Sequence, residues 1–411
     1  MLSRREFLRT SMQSMAVVSL GLGVPSVFAK AAVAAKNEAS AGAGRTLVVV
    51  QLQGGMDGLN IVIPQADPAY RSARPSLGIA EDKLINVDAS HAFHPSMTAM
   101  KQLLDDGHLA VVEGAGYPDP TYSHFKAMDI WQSADPAART RDGWLGRYFD
   151  SLTDIEGHPL AGLSVGRALP AAFQAQKATV PSVESLDTFA LQGPDDRDKS
   201  LIQLYDEYRP AGTPFAALLD STIETAMSSS AQLNAAHASY KPSVTYPQSS
   251  LASGLQMIAE LIDSGSDGQS PLRVGHVMLS GFDTHTQEAQ RLAPLLQDTG
   301  EALSAFWQDV VAHGHGDDVL VMTWSEFGRR VAENAQDGTD HGSAGPMFLV
   351  GNKIKPGFHG QPPALTNLDN GNLRFTTDFR SVYATLLEDW LEADSKAILG
   401  DSFEKVGILD L

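Results

Sequence analysis

The sequence predicts an α/β fold, a mainly parallel sheet sandwiched by helices. Short β-branched runs recur along the chain and alternate with segments whose apolar residues fall at helical spacing. Several runs stop at glycine or at a polar cluster, as strands do where the chain leaves a sheet. Strands that alternate with helices imply parallel pairing, with helices covering both faces.

Residues 46–52 (TLVVVQL) read as a buried strand stopping at Gly54-Gly55. Residues 96–104 have helical spacing, with Met97, Met100, Leu103 and Leu104 on one side, and Gly107 ends them. Residues 109–112 are a second strand; 122–133 and 144–152 are helices. In 155–250, strands are expected at 163–165 and 182–183, and helices at 200–208 and 215–236. This span is the candidate inserted cap, with the Pro/Ser-rich 240–250 as its exit loop. Regular alternation then resumes: helix 251–262, strand 274–279, helix 288–313, strand 319–323, strand 347–350 and helix 378–391. No internal repeat is visible.

Ahead of this domain, Ser3-Arg4-Arg5-Glu6-Phe7-Leu8-Arg9 precedes a mostly apolar, uncharged stretch at 12–28. A twin arginine before a modest apolar stretch is the signature of the Tat export route. The stretch is too short and too interrupted by Gly and Ser for a spanning helix, which needs roughly 20 apolar residues. Val27-Phe28-Ala29 and Ala32-Val33-Ala34 offer small-residue cleavage sites. The expected organisation is a Tat signal peptide at 1–29, a disordered linker at 30–44 and one domain at 45–411, with 155–250 inserted. The expected location is periplasmic or extracellular, with the Tat translocase as partner during export and no stable membrane insertion. That route carries folded proteins, often with a cofactor already loaded.

The chain carries a net charge of −19, which disfavours nucleic acid and anionic membranes as partners. It has no cysteine, which excludes disulfides, Cys-ligated zinc and iron–sulfur clusters.

The polar residues that follow the strands carry the chemistry. Residues 46–52 lead to Asp57, residues 109–112 to Ser123-His124, residues 274–279 to Asp283-Thr284-His285, and residues 319–323 to Glu326-Phe327-Gly328-Arg329-Arg330. Asp340-His341 precedes residues 347–350, and an antiparallel strand there brings His341 to the same edge. Ligands of open α/β sheets bind at the carboxyl ends of the strands. Carboxylates, imidazoles and a hydroxyl gathered there can hold zinc or a harder cation.

Each residue also has a plainer reading. Asp57 precedes Gly58 and suits a turn. Ser123 suits a helix N-cap. Asp283 and His285, two apart on an extended segment, point the same way, though Asp283 could cap the following helix. Glu326 could pair with Arg329 or Arg330; those arginines could clamp an anion or be solvated. His341 is a candidate ligand, and Asp340 could orient its ring.

Six segments resemble the exported family of domain of unknown function 1501. They are Gln51-Leu52-Gln53-Gly54-Gly55-Met56-Asp57-Gly58-Leu59-Asn60, Tyr122-Ser123-His124-Phe125, Gly281-Phe282-Asp283-Thr284-His285, Ser325-Glu326-Phe327-Gly328-Arg329-Arg330, Asp340-His341-Gly342-Ser343-Ala344 and Thr376-Thr377-Asp378-Phe379-Arg380-Ser381-Val382-Tyr383. The resemblance spans about residues 45–395. That family looks like a distant member of the alkaline phosphatase and sulfatase superfamily. The resemblance implies an alkaline phosphatase-like fold with metal at the sheet edge. Asp57 matches the Asp that binds metal after the first strand, Ser123 the nucleophile at a helix start, and His341 the late His. Two departures stand out: Asp283-x-His285 replaces Asp-x-x-x-His, and Glu326-Phe327 replaces Asp-His, which leaves the set one imidazole short unless His124 substitutes.

The expected function is an exported metal-dependent hydrolase of a phosphate or sulfate ester, on a small molecule or a polysaccharide. Its ligand pool is Asp57, Asp283, His285, Glu326 and His341, with His124 and Asp340 in reserve, and Ser123 and Arg329 are the catalytic candidates. One or two divalent ions are expected, of zinc, manganese or calcium. The alternative is a non-catalytic periplasmic binding protein with a degenerate site of the same kind.

Overall fold

A computed structural model describes residues 44–152, 158, 160–185, 229, 232–265 and 270–411. The expected signal peptide, the linker up to residue 43 and the helix at 200–208 lie outside the described residues. The helix expected at 215–236 is described only at 229 and 232–236, which are helical.

The strands, in chain order, are β1 (Thr46–Gln53), β2 (Val62–Pro64), β3 (Ile85–Asn86), β4 (His91–Phe93), β5 (Leu109–Gly116), β6 (Gly162–Val165), β7 (Ser182–Val183), β8 (Val274–Ser280), β9 (Val319–Trp324), β10 (Arg329–Glu333), β11 (Thr339–His341), β12 (Gly345–Val350), β13 (Gly357–His359) and β14 (Thr377–Asp378). The main sheet has the order β13-β5-β12-β9-β1-β8-β6-β7, and β14 also pairs with β5. Pairing in it is parallel except at β12, which runs antiparallel to β5 and β9. The expected mainly parallel sheet is therefore present, and the reversed strand is the one at residues 345–350.

Burial of β1 on both faces explains its unbroken apolar run. Val48, Val50 and Leu52 pack in one layer with the helices Thr98–Asp105, Ser250–Asp263 and Glu288–Ala312. Leu47 and Val49 pack in the opposite layer with the helices Trp144–Ser151 and Phe379–Thr385 and with Trp131. Trp131 stacks on Trp324 and Phe379, with ring centroids 5.6 and 4.2 Å away, which pins the helix His124–Ser133 to that face.

The span expected as an inserted cap is described in part. β6 pairs with β8 and β7 with β6, so residues 162–183 extend the edge of the main sheet. Two small antiparallel sheets, β2-β4-β3 and β10-β11, were not legible in the sequence. Their strands have two to five residues, too few for a periodic signal. They share a separate apolar cluster that includes Leu59, Ile63, Tyr70, Val331 and Leu373. No helix among the described residues is long and apolar enough to cross a membrane.

Candidate metal centre

Three turns meet at the carboxyl end of the sheet. The turn after β1 contains Gly54, at φ +128°. A side chain there would collide with the backbone of Phe282 and Asp283, so glycine lets the β1 and β8 turns touch. The Gly54 amide donates to both oxygens of Glu326 beyond β9, at 3.0 and 3.1 Å. The hairpin β10-β11 sets Arg329 opposite His341, and so delivers that histidine to the same place.

Three imidazoles converge on one carboxylate oxygen. Asp283 Oδ1 lies 3.5 Å from His124 Nε2, 3.2 Å from His285 Nε2 and 3.3 Å from His341 Nε2. Each ring is held from behind at Nδ1. His124 Nδ1 faces Glu326 Oε1 at 2.7 Å, His285 Nδ1 faces Asp340 Oδ1 at 3.3 Å, and His341 Nδ1 faces the Tyr122 carbonyl at 2.8 Å. Each ring thus has an oxygen partner at its back, and its Nε2 points towards Asp283. His285 and His341 Nε2 stand 2.8 Å apart. His124 Nε2 is buried and has no hydrogen-bond partner among the described residues. His124, Asp283 and His341 each offer a ligand atom, all within 4.8 Å of one another, and can hold a metal ion.

Charge favours the same use. Burial alone would raise the Asp283 carboxyl, but Arg329 at 2.7 Å outweighs it and holds it at about 2. Burial, with Arg329 and His124 nearby, lowers His341, so that ring is neutral near neutral pH. An ionised carboxylate and a neutral imidazole, here Asp283 and His341, are the states that bind metal.

Of the expected ligands, the structure brings Asp283, His285 and His341 together, with His124 from the reserve. Glu326 is adjacent but faces the back of His124, and Asp340 does the same for His285. Asp57 is elsewhere. It is fully buried in a two-pronged ion pair with Arg74: Nη2 to Oδ1 is 2.7 Å, and Nη1 bonds Oδ2. Arg74 also donates to the carbonyls of Val331 and Arg330, tying the β1 turn to β10. Buried Glu288 completes this group. Burial and the charge of Asp57 push it up to about 9, so it keeps its proton and shares it with Asp57. Burial would raise Asp57 too, but Arg74 lowers it below the usual range.

Arg329 is not free to clamp a substrate. It is 1% exposed and donates to the carbonyls of Gly55, Thr339, Gly54 and Phe282 as well as to Asp283. Its planar fork ties three turns together. Half-buried Arg330 lines a groove of about 290 Å³ with Tyr122, His285, Asp340, His341 and Asn372. Ser123 occupies the N-cap position of the helix His124–Ser133 without a side-chain cap bond, so the cap reading does not account for its hydroxyl.

Sequence reasoning missed Arg74 and Glu288. Glu288 carried only the sign of a helix start, and Arg74 carried no sign at all. The partners of both come from distant turns.

The family described as a protein of unknown function (DUF1501) matches residues 44–389. No curated protein matches the chain. Several solved structures are similar at low identity. One is Ps i-CgsB in complex with k-i-k-neocarrahexaose, at 10% identity and a TM-score of 0.36, covering 88% of this chain and 73% of that one. Another is a protein in the alkaline phosphatase superfamily from Vibrio parahaemolyticus, at 9% and 0.36, covering 86% and 71%. A third is the C-terminal periplasmic domain of EcEptC from Escherichia coli in complex with Zn, at 11% and 0.34, covering 77% and 75%.

Proposed function

We propose that this chain, which belongs to the DUF1501 family of proteins of unknown function, is an exported metal-dependent hydrolase of a phosphate or sulfate ester. The observation that carries the reading is the convergence of the Nε2 atoms of His124, His285 and His341 on Asp283 Oδ1. Imidazole nitrogens gathered around a carboxylate form a donor set that one cation can engage together, and the buried His124 Nε2, without a hydrogen-bond partner among the described residues, fits that use. Imidazole nitrogens with one carboxylate suit zinc or manganese better than calcium, which favours oxygen. One ion is proposed rather than two, because Asp57 and Glu326 are engaged with Arg74 and His124.

A divalent ion held there would supply Lewis-acid stabilisation of charge on the transferred group. The chain's own residues do the positioning. Glu326, Asp340 and the Tyr122 carbonyl fix the ring orientations. Arg330 contacts the anionic oxygens of the ester in the groove, the role expected of Arg329. Ser123 is the nucleophile; it sits between Tyr122, which holds His341, and the ligand His124. A small-molecule or polysaccharide ester enters along the groove. Arg4-Arg5 direct the chain through the Tat translocase to the periplasm or beyond.

A second reading is a metal-holding binding protein without turnover. Burial of Arg329 and the absence, among the described residues, of a base hydrogen-bonded to the Ser123 hydroxyl favour it. The test is metal analysis of the full exported chain, followed by aryl phosphate and aryl sulfate assays with zinc, manganese and calcium. Turnover that disappears in both His341→Ala and Ser123→Ala supports the hydrolase. Stoichiometric metal without turnover selects the binding protein. Full turnover in both variants overturns the site assignment.

A further inference from the structure

A second cavity, of about 450 Å³, shares no residue with the histidine cluster. Its volume falls in the range of small-molecule sites. Leu59, Val62, Pro346, Pro363 and Leu373 give it an apolar wall. Its charged lining residues are Glu113 and Asp67, and no lysine or arginine joins them among the described residues.

Glu113 is aimed into this cavity by an irregularity in the sheet. The register between β5 and β12 shifts between Gly345 and Met347. Ala110, Val112 and Ala115 all belong to one core layer, so the alternation slips by a residue between Val112 and Ala115. Gly114, at φ +59°, takes up the slip. Such bulges re-aim a side chain. Glu113 is only 7% exposed, and burial raises its carboxyl above the usual range. Its Oε1 meets His91 Nε2 at 3.2 Å. Oε2 has no hydrogen-bond partner among the described residues. His91 cannot swing to serve it. Both oxygens of Asp88 hold its Nδ1, at 3.0 and 2.9 Å, and its ring stacks on Phe358 with centroids 3.9 Å apart.

We infer that this cavity binds a small organic amine, its ammonium group against Glu113 and its apolar body against the proline-lined wall. A buried carboxylate with one oxygen unmet gains from a further donor, and an ammonium brings three donors and a positive charge to the unspent oxygen. The acids repel an anion, and a neutral alcohol brings no charge to the carboxylate.

The test is calorimetric titration of the metal-loaded full chain with benzylamine, beside benzyl alcohol and benzoate. Saturable one-to-one binding of benzylamine alone is expected, weakened at least tenfold in Glu113→Gln. Because amines also ligate metals, the titration is repeated on His341→Ala, where binding should persist. Ala364→Trp, at an exposed position on the cavity wall, should weaken binding by a similar factor and covers a Glu113→Gln chain that does not fold. Binding equal to that of benzyl alcohol, unchanged in Glu113→Gln and Ala364→Trp, or lost in His341→Ala overturns the proposal. The last result would place the amine on the metal, leaving the hydrolase reading untouched.

Discussion

Glu326 stands behind His124: its Oε1 is 2.7 Å from Nδ1, while Nε2 on the far side of the ring faces Asp283. The carboxylate itself is locked by the Gly54 amide and by Ser325. In the proposed site it therefore orients His124 rather than serving as a ligand. Glu326→Gln should keep the fold and weaken metal affinity by roughly 10–100-fold. His341→Ala should abolish stoichiometric binding. Competition against a chelator of known affinity measures both; equal losses would return Glu326 to the ligand set.

The buried pair Asp57–Arg74 should behave as structure. Removing one partner of such a pair leaves an uncompensated charge and costs roughly 3–5 kcal/mol. Arg74→Met should lose about that much in urea denaturation, and its folded fraction should keep its metal. Metal loss from Asp57→Asn at unchanged stability would instead make Asp57 a ligand.

Glu288 gives a pH dependence of known sign. Its folded carboxyl is raised from the ordinary 4.5 to about 9, so the native state keeps a proton that the unfolded chain releases. The stability tied to that proton is fully present below about pH 4.5 and is lost as pH rises towards about 9. Glu288→Gln cannot titrate. The urea midpoint of the parent should therefore fall more steeply than that of the variant between about pH 5 and 9. Parallel curves would show that Glu288 is ionised in the fold.

Gly54→Ala should damage fold and site together. Its new methyl would collide with the backbone of Asp283, and its positive φ is strained for alanine. We expect a loss above about 1 kcal/mol by thermal melting, together with weaker metal retention. Unchanged metal affinity would show that the β1 and β8 turns move independently.

Where alternation and order decide the structure, the sequence was legible. The buried runs at β1, β8 and β9 had to lie in a sheet covered on both faces, and their polar followers had to meet at one edge. That reasoning named Asp283, His285 and His341, which lie together at that edge. It failed at Asp57, because the direction of that side chain depends on Arg74, which reaches back across a loop. It failed at Arg329 because a hairpin only five and three residues per strand turns that guanidinium inward and leaves its neighbour Arg330 at the groove. Strand 162–165 was seen but assigned to a cap, since sequence order does not say that the chain returns to the sheet edge.

The bond from His341 to the Tyr122 carbonyl joins residues 219 positions apart. That bond forms only in a chain whose intervening crossovers have brought the two segments together, so the proposed ligand set exists only in the folded chain. An unfolded chain offers metal ions only 49 scattered carboxylates and 12 histidines, with little selectivity. Under the proposed Tat export of a folded chain, the choice of ion would then be made by the metal pool of the compartment of synthesis. The ion supply at the destination would matter only for replacement.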